Sequence, residues 1–160
     1  MPEVQYLSTP IGPLEIIVRS HRVVAISFVD SVIPQKSDPA SPLTHQCMQQ
    51  LKQYFAGERH QLCLPLALSS LPPFTRKCLF ALDRHAPYGQ TLSYAKLASA
   101  ITGNSTYARA IAHALSVNPL AIAIPCHRII ASDGDLRGYR WKACRKKWLI
   151  DFERSQPKTL

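Results

Sequence analysis

The period of the apolar positions changes several times along the chain, and each change marks an element. Over residues 3–30 the turn signal Thr9-Pro-Ile-Gly-Pro13 precedes the apolar run LEIIV, and Ser20-His21-Arg22 leads into VVAISFV, which predicts a β-hairpin or meander. Residues 31–42, SVIPQKSDPASP, hold three prolines and no periodicity and read as loop. Leu43, Cys47, Leu51, Tyr54 and Phe55 then recur at helical spacing, and Gly57 stops the helix. CLPLAL is a short strand candidate broken by Pro65, and Cys63 within it alternates as a strand residue does. Phe74, Cys78, Leu79 and Leu82 again have helical spacing, ending near Pro87-Tyr88-Gly89. No internal repeat is present.

The second half carries more information. Ser93 is placed to cap a helix running through Tyr94, Leu97, Ala98 and Ile101, which Gly103-Asn104 stops. Ser105 is placed to cap a second helix, with Ala108, Ile111, Ala112 and Leu115 at i, i+3, i+4 and i+7. Two short helices joined by a Gly-containing turn fit a helix-turn-helix, although two packed helices of any α-rich domain share the pattern. The other face of the second helix presents Tyr107, Ala110, Ala114 and Val117, with Arg109 and His113 beside them. Small residues there would let the backbone approach a groove closely while one long cation projects from it; a plain surface charge is the other reading of Arg109. Downstream, Ile122-Ala-Ile124 reads as a buried extended segment that Pro125 terminates, leaving Cys126 at its end with His127 directly after.

Composition narrows the classes. With 160 residues, 46% hydrophobic and 18% charged, the chain is one ordinary domain or two small ones, able to bury a core. No apolar run approaches the roughly 20 residues of a membrane span, and MPEVQYLSTP lacks the basic-then-apolar pattern of a secretion signal, so a cytoplasmic, non-membrane protein is expected. The formal charge of +9 is uneven: residues 1–87 carry eight basic and six acidic side chains, residues 88–160 eleven and four, a net of +7. Such a basic half suits a polyanion, nucleic acid above all, though charge alone also fits a solvated basic face. Five cysteines (47, 63, 78, 126 and 144) form no C-x-x-C pair and signal neither a metal site nor a disulfide framework; reduced thiols are expected. Cys47 and Cys78 fall on apolar helical faces and read as core. Cys126 differs, because the adjacent imidazole can take the thiol proton and thiolate is the reacting species. By itself a Cys-His pair is a weak signal and reads more readily as a buried cysteine beside a polar histidine.

The longer string Asn118-Pro-Leu-Ala-Ile-Ala-Ile-Pro-Cys126-His127-Arg128-Ile129, with the preceding helix pair and the following SDGDLRGYRW, resembles the DNA O6-alkylguanine alkyltransferases, the methylated-DNA–protein-cysteine methyltransferases. The likeness is dense from about Pro73 to Glu153 and extends through STPIGPL and QYFAGE. It implies an α/β protein with a small RNase H-like N-terminal α/β domain (1–85) and a mostly helical C-terminal domain (86–160) holding the helix-turn-helix and the PCHR site. It implies direct repair of O6-alkylguanine in double-stranded DNA, with O4-alkylthymine a further candidate, by a monomer needing no cofactor and no metal. Residue by residue, Cys126 would take the alkyl group irreversibly, His127 would act as its base through a water, and Glu153 would orient and charge the imidazole. Tyr94 would support the flipped base and donate toward guanine N3, Arg109 would fill the vacated stack, and Asn118 would tie the recognition helix to the active-site segment. The carbonyls of Cys126 and Ile129 would accept from the guanine amine, and Tyr139 with the backbone at Arg140 would line the pocket near O6. Arg128 would be structural, linking the motif to neighbouring carboxylates or carbonyls.

The string departs from the family pattern at Tyr107, where a small residue is usual, and at Lys142, where glycine is common; Cys144 is a second, incidental thiol. Two other classes compete. A non-catalytic lesion-binding relative would replace the reactive cysteine, which is intact here. A helix-turn-helix transcription factor gives no reason for a Cys-His pair beside its reading helix, and a regulatory methyl sensor would need a further metal-binding domain.

Overall fold

Left-handed backbone at Ser20 (φ 52°) and His21 (φ 60°) closes the tight turn between two of the first three strands. The computed structural model describes residues 2–32, 40–136 and 138–157. Strands β1 (Glu3–Leu7), β2 (Leu14–Arg19) and β3 (Arg22–Phe28) pair antiparallel in that order, as the meander reading expects. Alternation buries Leu14, Ile16 and Val18 of β2, and a register shift at Ile17/Val18 twists the β2–β3 pair. Helix α1 (Pro42–Phe55) is capped by Ser41, whose Oγ accepts from the Thr44 N–H at 3.3 Å, and it buries Cys47, Leu51 and Tyr54. The Glu3 carboxylate accepts from Ser41 N (2.9 Å) and Thr44 Oγ1 (2.5 Å), tying this helix start to β1. Most of the loop expected over 31–42 lies outside the described residues.

The outer edge of β3 receives two single parallel bridges, Val23–Leu66 and Ile26–Leu120. CLPLAL is thus a bridge, not a strand. The apolar run after Pro119 is likewise not extended. After Ile26 N donates to Pro119 O (2.9 Å) and Ala121 N to Ile26 O (2.8 Å), the chain turns, with Ile122 at φ 69° and Ala123 N bonded to Ala121 O at 2.7 Å. Hydrophobicity required only that Ile122 and Ile124 be buried, which a turn satisfies as well as a strand.

Residues up to 68 with 119–123 form one compact unit, and residues 69–118 with 124–159 form the other. The division therefore falls at 68/69 and not at the expected 85/86, since α2 (Pro73–Phe80) packs on α5 (Ala108–Ser116) of the second unit. The helical run expected from Phe74 is broken at Ala81, whose N–H is shared between the Lys77 and Cys78 carbonyls, and resumes as the single turn α3 (Leu82–His85). Strand β4 (Leu92–Ser93) leads into α4 (Tyr94–Thr102), capped by Ser93 Oγ on the Lys96 N–H (3.1 Å) and ended by Gly103 at φ 80°. The next cap is Asn104 and not Ser105: Asn104 Oδ1 accepts from Thr106 N at 3.0 Å and starts a 3₁₀ turn, Ser105–Tyr107, that feeds α5. Ala114 joins Ile111 and Leu115 on the buried side of α5, which leaves Tyr107, Arg109, Ala110 and His113 as the outer face. Strand β5 (Ile129–Ile130) pairs parallel with β4, and α6 (Ala143–Ser155) closes the unit.

Helix α6 begins from Lys142 at φ 80°, ψ 139°, a conformation nearly restricted to glycine. Glycine is also tolerated at an N-cap. Lys142→Gly should therefore raise stability by about 1 kcal/mol, read as a higher urea midpoint with an unchanged slope. A lower midpoint would mean that the lysine side chain supports this start by more than its backbone strains it.

Candidate active site

A single 3₁₀ turn, Cys126–Arg128, carries the two candidate catalytic side chains and the arginine after them. Pro125 enters it, the Arg128 N–H donates to Pro125 O (3.1 Å), and the Ile129 N–H bonds the Cys126 carbonyl as the chain leaves into β5. One of the two carbonyls expected to meet a guanine amine thus already holds a backbone bond, with a second lone pair remaining. Cys126 is 5% exposed. Its sulfur accepts from Asn118 Nδ2 at 3.1 Å, and the same amide donates to Ile124 O at 3.0 Å, so Asn118 does join the end of α5 to the active-site turn. Burial pushes the thiol up to about 11, against the opposing pull of the Asn118 amide and of the Lys146 and Arg140 charges. At neutral pH it rests protonated and needs a base.

The adjacent imidazole is oriented by a carboxylate. His127 Nε2 lies 2.8 Å from Glu153 Oε2, both side chains being fully buried. A carboxylate only accepts, so Nε2 carries the hydrogen and Nδ1 is the free lone pair. Nδ1 is buried with no hydrogen-bond partner among the described residues. Arg128 grips the same carboxylate, Nε to Oε1 at 2.8 Å and Nη2 to Oε2 at 3.2 Å. Burial alone would raise the Glu153 carboxyl, but His127 and then Arg128 hold it well below the usual carboxylate range. The rest of the Arg128 guanidinium reaches Asp83 Oδ1 (3.2 Å) and the Ala86 carbonyl (3.0 Å) and lies over the Tyr88 ring at 5.6 Å. It is a structural crosslink, as expected.

The remaining candidates divide. Tyr94 opens α4 and feels the charge of Cys126, as does buried Tyr139, whose hydroxyl has no partner among the described residues. Tyr139 packs edge-on against Trp141 at 5.5 Å. Arg140 lies over that indole at 5.2 Å and donates from Nη1 to the Asn118 carbonyl at 2.6 Å, so its side chain, and not only its backbone, takes part. The Ile129 side chain is fully buried, which leaves only its backbone available. Arg109 is not gathered with these groups: it projects from the exposed face of α5 and makes no hydrogen bond or ion pair among the described residues.

Sequence reasoning missed Lys146. It is fully buried, and its Nζ donates to Tyr94 Oη at 3.5 Å. A signal was present: α6 buries Lys146, Leu149, Ile150 and Glu153, an i, i+3, i+4, i+7 stripe with a charge at each end.

Residues 73–155 match the family described as 6-O-methylguanine DNA methyltransferase, DNA binding domain, and residues 4–68 its ribonuclease-like domain. The constitutive methylated-DNA–protein-cysteine methyltransferase of Bacillus subtilis is 35% identical, covering 91% of this chain and 92% of its own. A Thermus thermophilus DNA base-flipping protein is also 35% identical, over 92% and 97%. Among solved structures, the Mycobacterium tuberculosis O6-methylguanine methyltransferase superposes with a TM-score of 0.85 at 32% identity, covering 99% of this chain and 97% of that one. The same organism's OGT in complex with DNA gives 0.83 at 31%, covering 98% and 96%. With both halves matched in order, the chain belongs to the 6-O-methylguanine DNA methyltransferase family.

Proposed function

We propose that this protein is a methylated-DNA–protein-cysteine methyltransferase that removes the alkyl group from O6-alkylguanine in duplex DNA and keeps it on Cys126. The observation that carries the reading is the buried chain from Asn118 through the Cys126 thiol to His127 and Glu153, with Nδ1 of the imidazole open to a proton. The resting thiol is protonated, so His127 takes its proton, directly or through a water, and the resulting imidazolium is stabilised by a carboxylate already paired to it. The thiolate attacks the alkyl carbon, the carbon–O6 bond breaks, and its electron pair goes to the guanine ring, which takes a proton from Tyr94 at N3. Thioether is a poor leaving group, so each molecule reacts once.

A guanine O6 inside a duplex is out of reach, and the nucleotide has to rotate out at a cost of a few kcal/mol. The exposed face of α5 supports minor-groove entry: Ala110 admits the backbone, and Arg109 is free to enter the vacated stack. The net +7 of residues 88–160 supports binding to phosphates without regard to sequence. Tyr107 is 52% exposed at the start of this helix and adds bulk there. The five free thiols fit work in a reducing cytoplasm, as a monomer. The relative named as a base-flipping protein keeps a flipping-only reading in view, and the intact Cys126 favours transfer.

Incubation with duplex containing O6-methylguanine should add one methyl mass per protein, mapped to the Cys126 peptide, and Cys126→Ser should gain none. Repeated turnover, or methylation confined to Cys144, would defeat the assignment. Glu153→Gln should slow single-turnover transfer by about tenfold or more while leaving DNA affinity nearly unchanged. Because the Glu153 carboxyl is held low in the fold, its contribution to stability is present above an unfolded value of about 4 and is lost as pH falls below it. The Gln variant should lack that part of the acid dependence, read by urea unfolding across pH. Arg109→Ala should slow transfer from the paired lesion about tenfold at saturating protein, the effect of 1.4 kcal/mol lost from flipping. It should leave the rate with free O6-benzylguanine, if that base is accepted, nearly unaltered; equal slowing of both would instead indicate a damaged pocket.

A further inference from the structure

On the outer face of α5, Arg109 has a task in the reading above and Tyr107 has none. The Tyr107 side chain is 52% exposed and makes no hydrogen bond or ring contact among the described residues. At about 100° per residue, Tyr107 and Arg109 stand at the two borders of that face, with Ala110 and His113 between them. No acidic residue occurs between Asp83 and Asp133, so no carboxylate of this stretch repels a phosphate brought to the ring. The backbone beneath Tyr107 is also fixed. Thr102 Oγ1 donates to the Ala98 carbonyl at 2.7 Å and accepts from Asn104 N at 3.1 Å. Asn104 Oδ1 accepts from Thr106 N (3.0 Å) and Thr106 Oγ1 (2.8 Å), and Tyr107 N donates to Asn104 O at 3.3 Å. The ring therefore cannot be carried aside by its own turn when something approaches.

A helix with its side chains is about 10 Å across, whereas the minor groove of B-DNA is about 6 Å wide. Entry of α5 requires a widened groove, and the side chains at the borders of its outer face are those that meet the walls. A fixed aromatic ring at one border adds to the cost of entry unless it gains contact with the sugars and base edges that it displaces. Wedges in the minor groove gain such contact by partly unstacking a step and kinking the duplex, and aromatic–base contact offsets what the unstacking costs. We propose that Tyr107 is a positioning residue for base extraction, its ring wedged against the groove wall on the side of α5 away from Arg109. It holds the groove open and the duplex bent while the nucleotide is out. Arg109 fills the stack from one border of the face, and Tyr107 props the groove at the other. The ring carries this role, and the hydroxyl does not. This inference rests on the repair reading.

The test compares Tyr107→Ala and Tyr107→Phe with the unmodified protein, and the exposure of the ring keeps both changes out of the core. Two quantities are read at saturating protein. One is the single-turnover rate of methyl transfer from O6-methylguanine in a duplex and in a single strand. The other is the bend of the duplex, from energy transfer between dyes at its ends. Tyr107→Ala should slow transfer from the duplex about tenfold and reduce the bend, while the single strand reacts within about twofold of the unmodified rate. Tyr107→Phe should keep both the rate and the bend. A duplex rate in Tyr107→Ala that is equal or faster would overturn the proposal and make the ring an obstacle or a plain surface group. Equal slowing on duplex and single strand would also overturn it, by placing the effect in the pocket or the fold. A Phe variant as slow as the Ala variant would move the role to the hydroxyl, and that too overturns the wedge. Methylation of Cys126 in the unmodified protein is read first. Its failure would remove the repair reading itself, whereas the bend with and without the Tyr107 ring still decides the wedge.

Discussion

One buried carboxylate organises the catalytic unit. Glu153 accepts from His127 and twice from Arg128 in a setting where an unpaired charge would cost several kcal/mol. Each of its partners is a neighbour of Cys126 in sequence, so satisfying the carboxylate also aims the turn. Arg128 carries the constraint outward to Asp83 and the Ala86 carbonyl, which fastens the connection after α3 to the same point. The 3₁₀ turn, the end of α6 and the α3 connection are therefore held by one charge-assisted network.

On the other side of Cys126 the electrostatics reverse. Lys146 and Arg140 bring positive charge, and the Asn118 amide donates to the sulfur. These favour thiolate without overcoming burial, so the thiol stays protonated at rest. A buried thiol at rest is shielded from the adventitious alkylation and oxidation that would consume a single-use protein. On this side Arg140 is tied to the Asn118 carbonyl and lies over the Trp141 indole, and Lys142 is held in backbone that suits glycine.

Much of this was legible before any coordinates. Helical spacing placed α1, α4 and α5 near their observed ranges, and Ser93 marked the start of α4, because amphipathic periodicity and a side-chain cap are local properties. The family resemblance carried by Asn118–Ile129 and the string after it named Cys126, His127 and Glu153 as catalytic candidates, and the uneven charge suited a polyanion. Where apolar content was read as extended structure, over CLPLAL and Ile122–Ile124, it failed, since burial demands apolar side chains but not a particular backbone.

By itself, then, the sequence determined the helical periods of α1, α4 and α5, the Ser93 cap, the candidate thiol and imidazole, and that the second half is cationic. Only the tertiary structure decided that Glu153 meets both His127 and Arg128, that Asn118 touches the sulfur, and that Lys146 turns inward to Tyr94. These contacts join residues between 8 and 52 positions apart, and no local propensity encodes them. A lysine at a helix position where leucine would also fit reads as surface in a linear pattern. It becomes a buried cation only when packing removes its water and leaves a tyrosine hydroxyl as its partner.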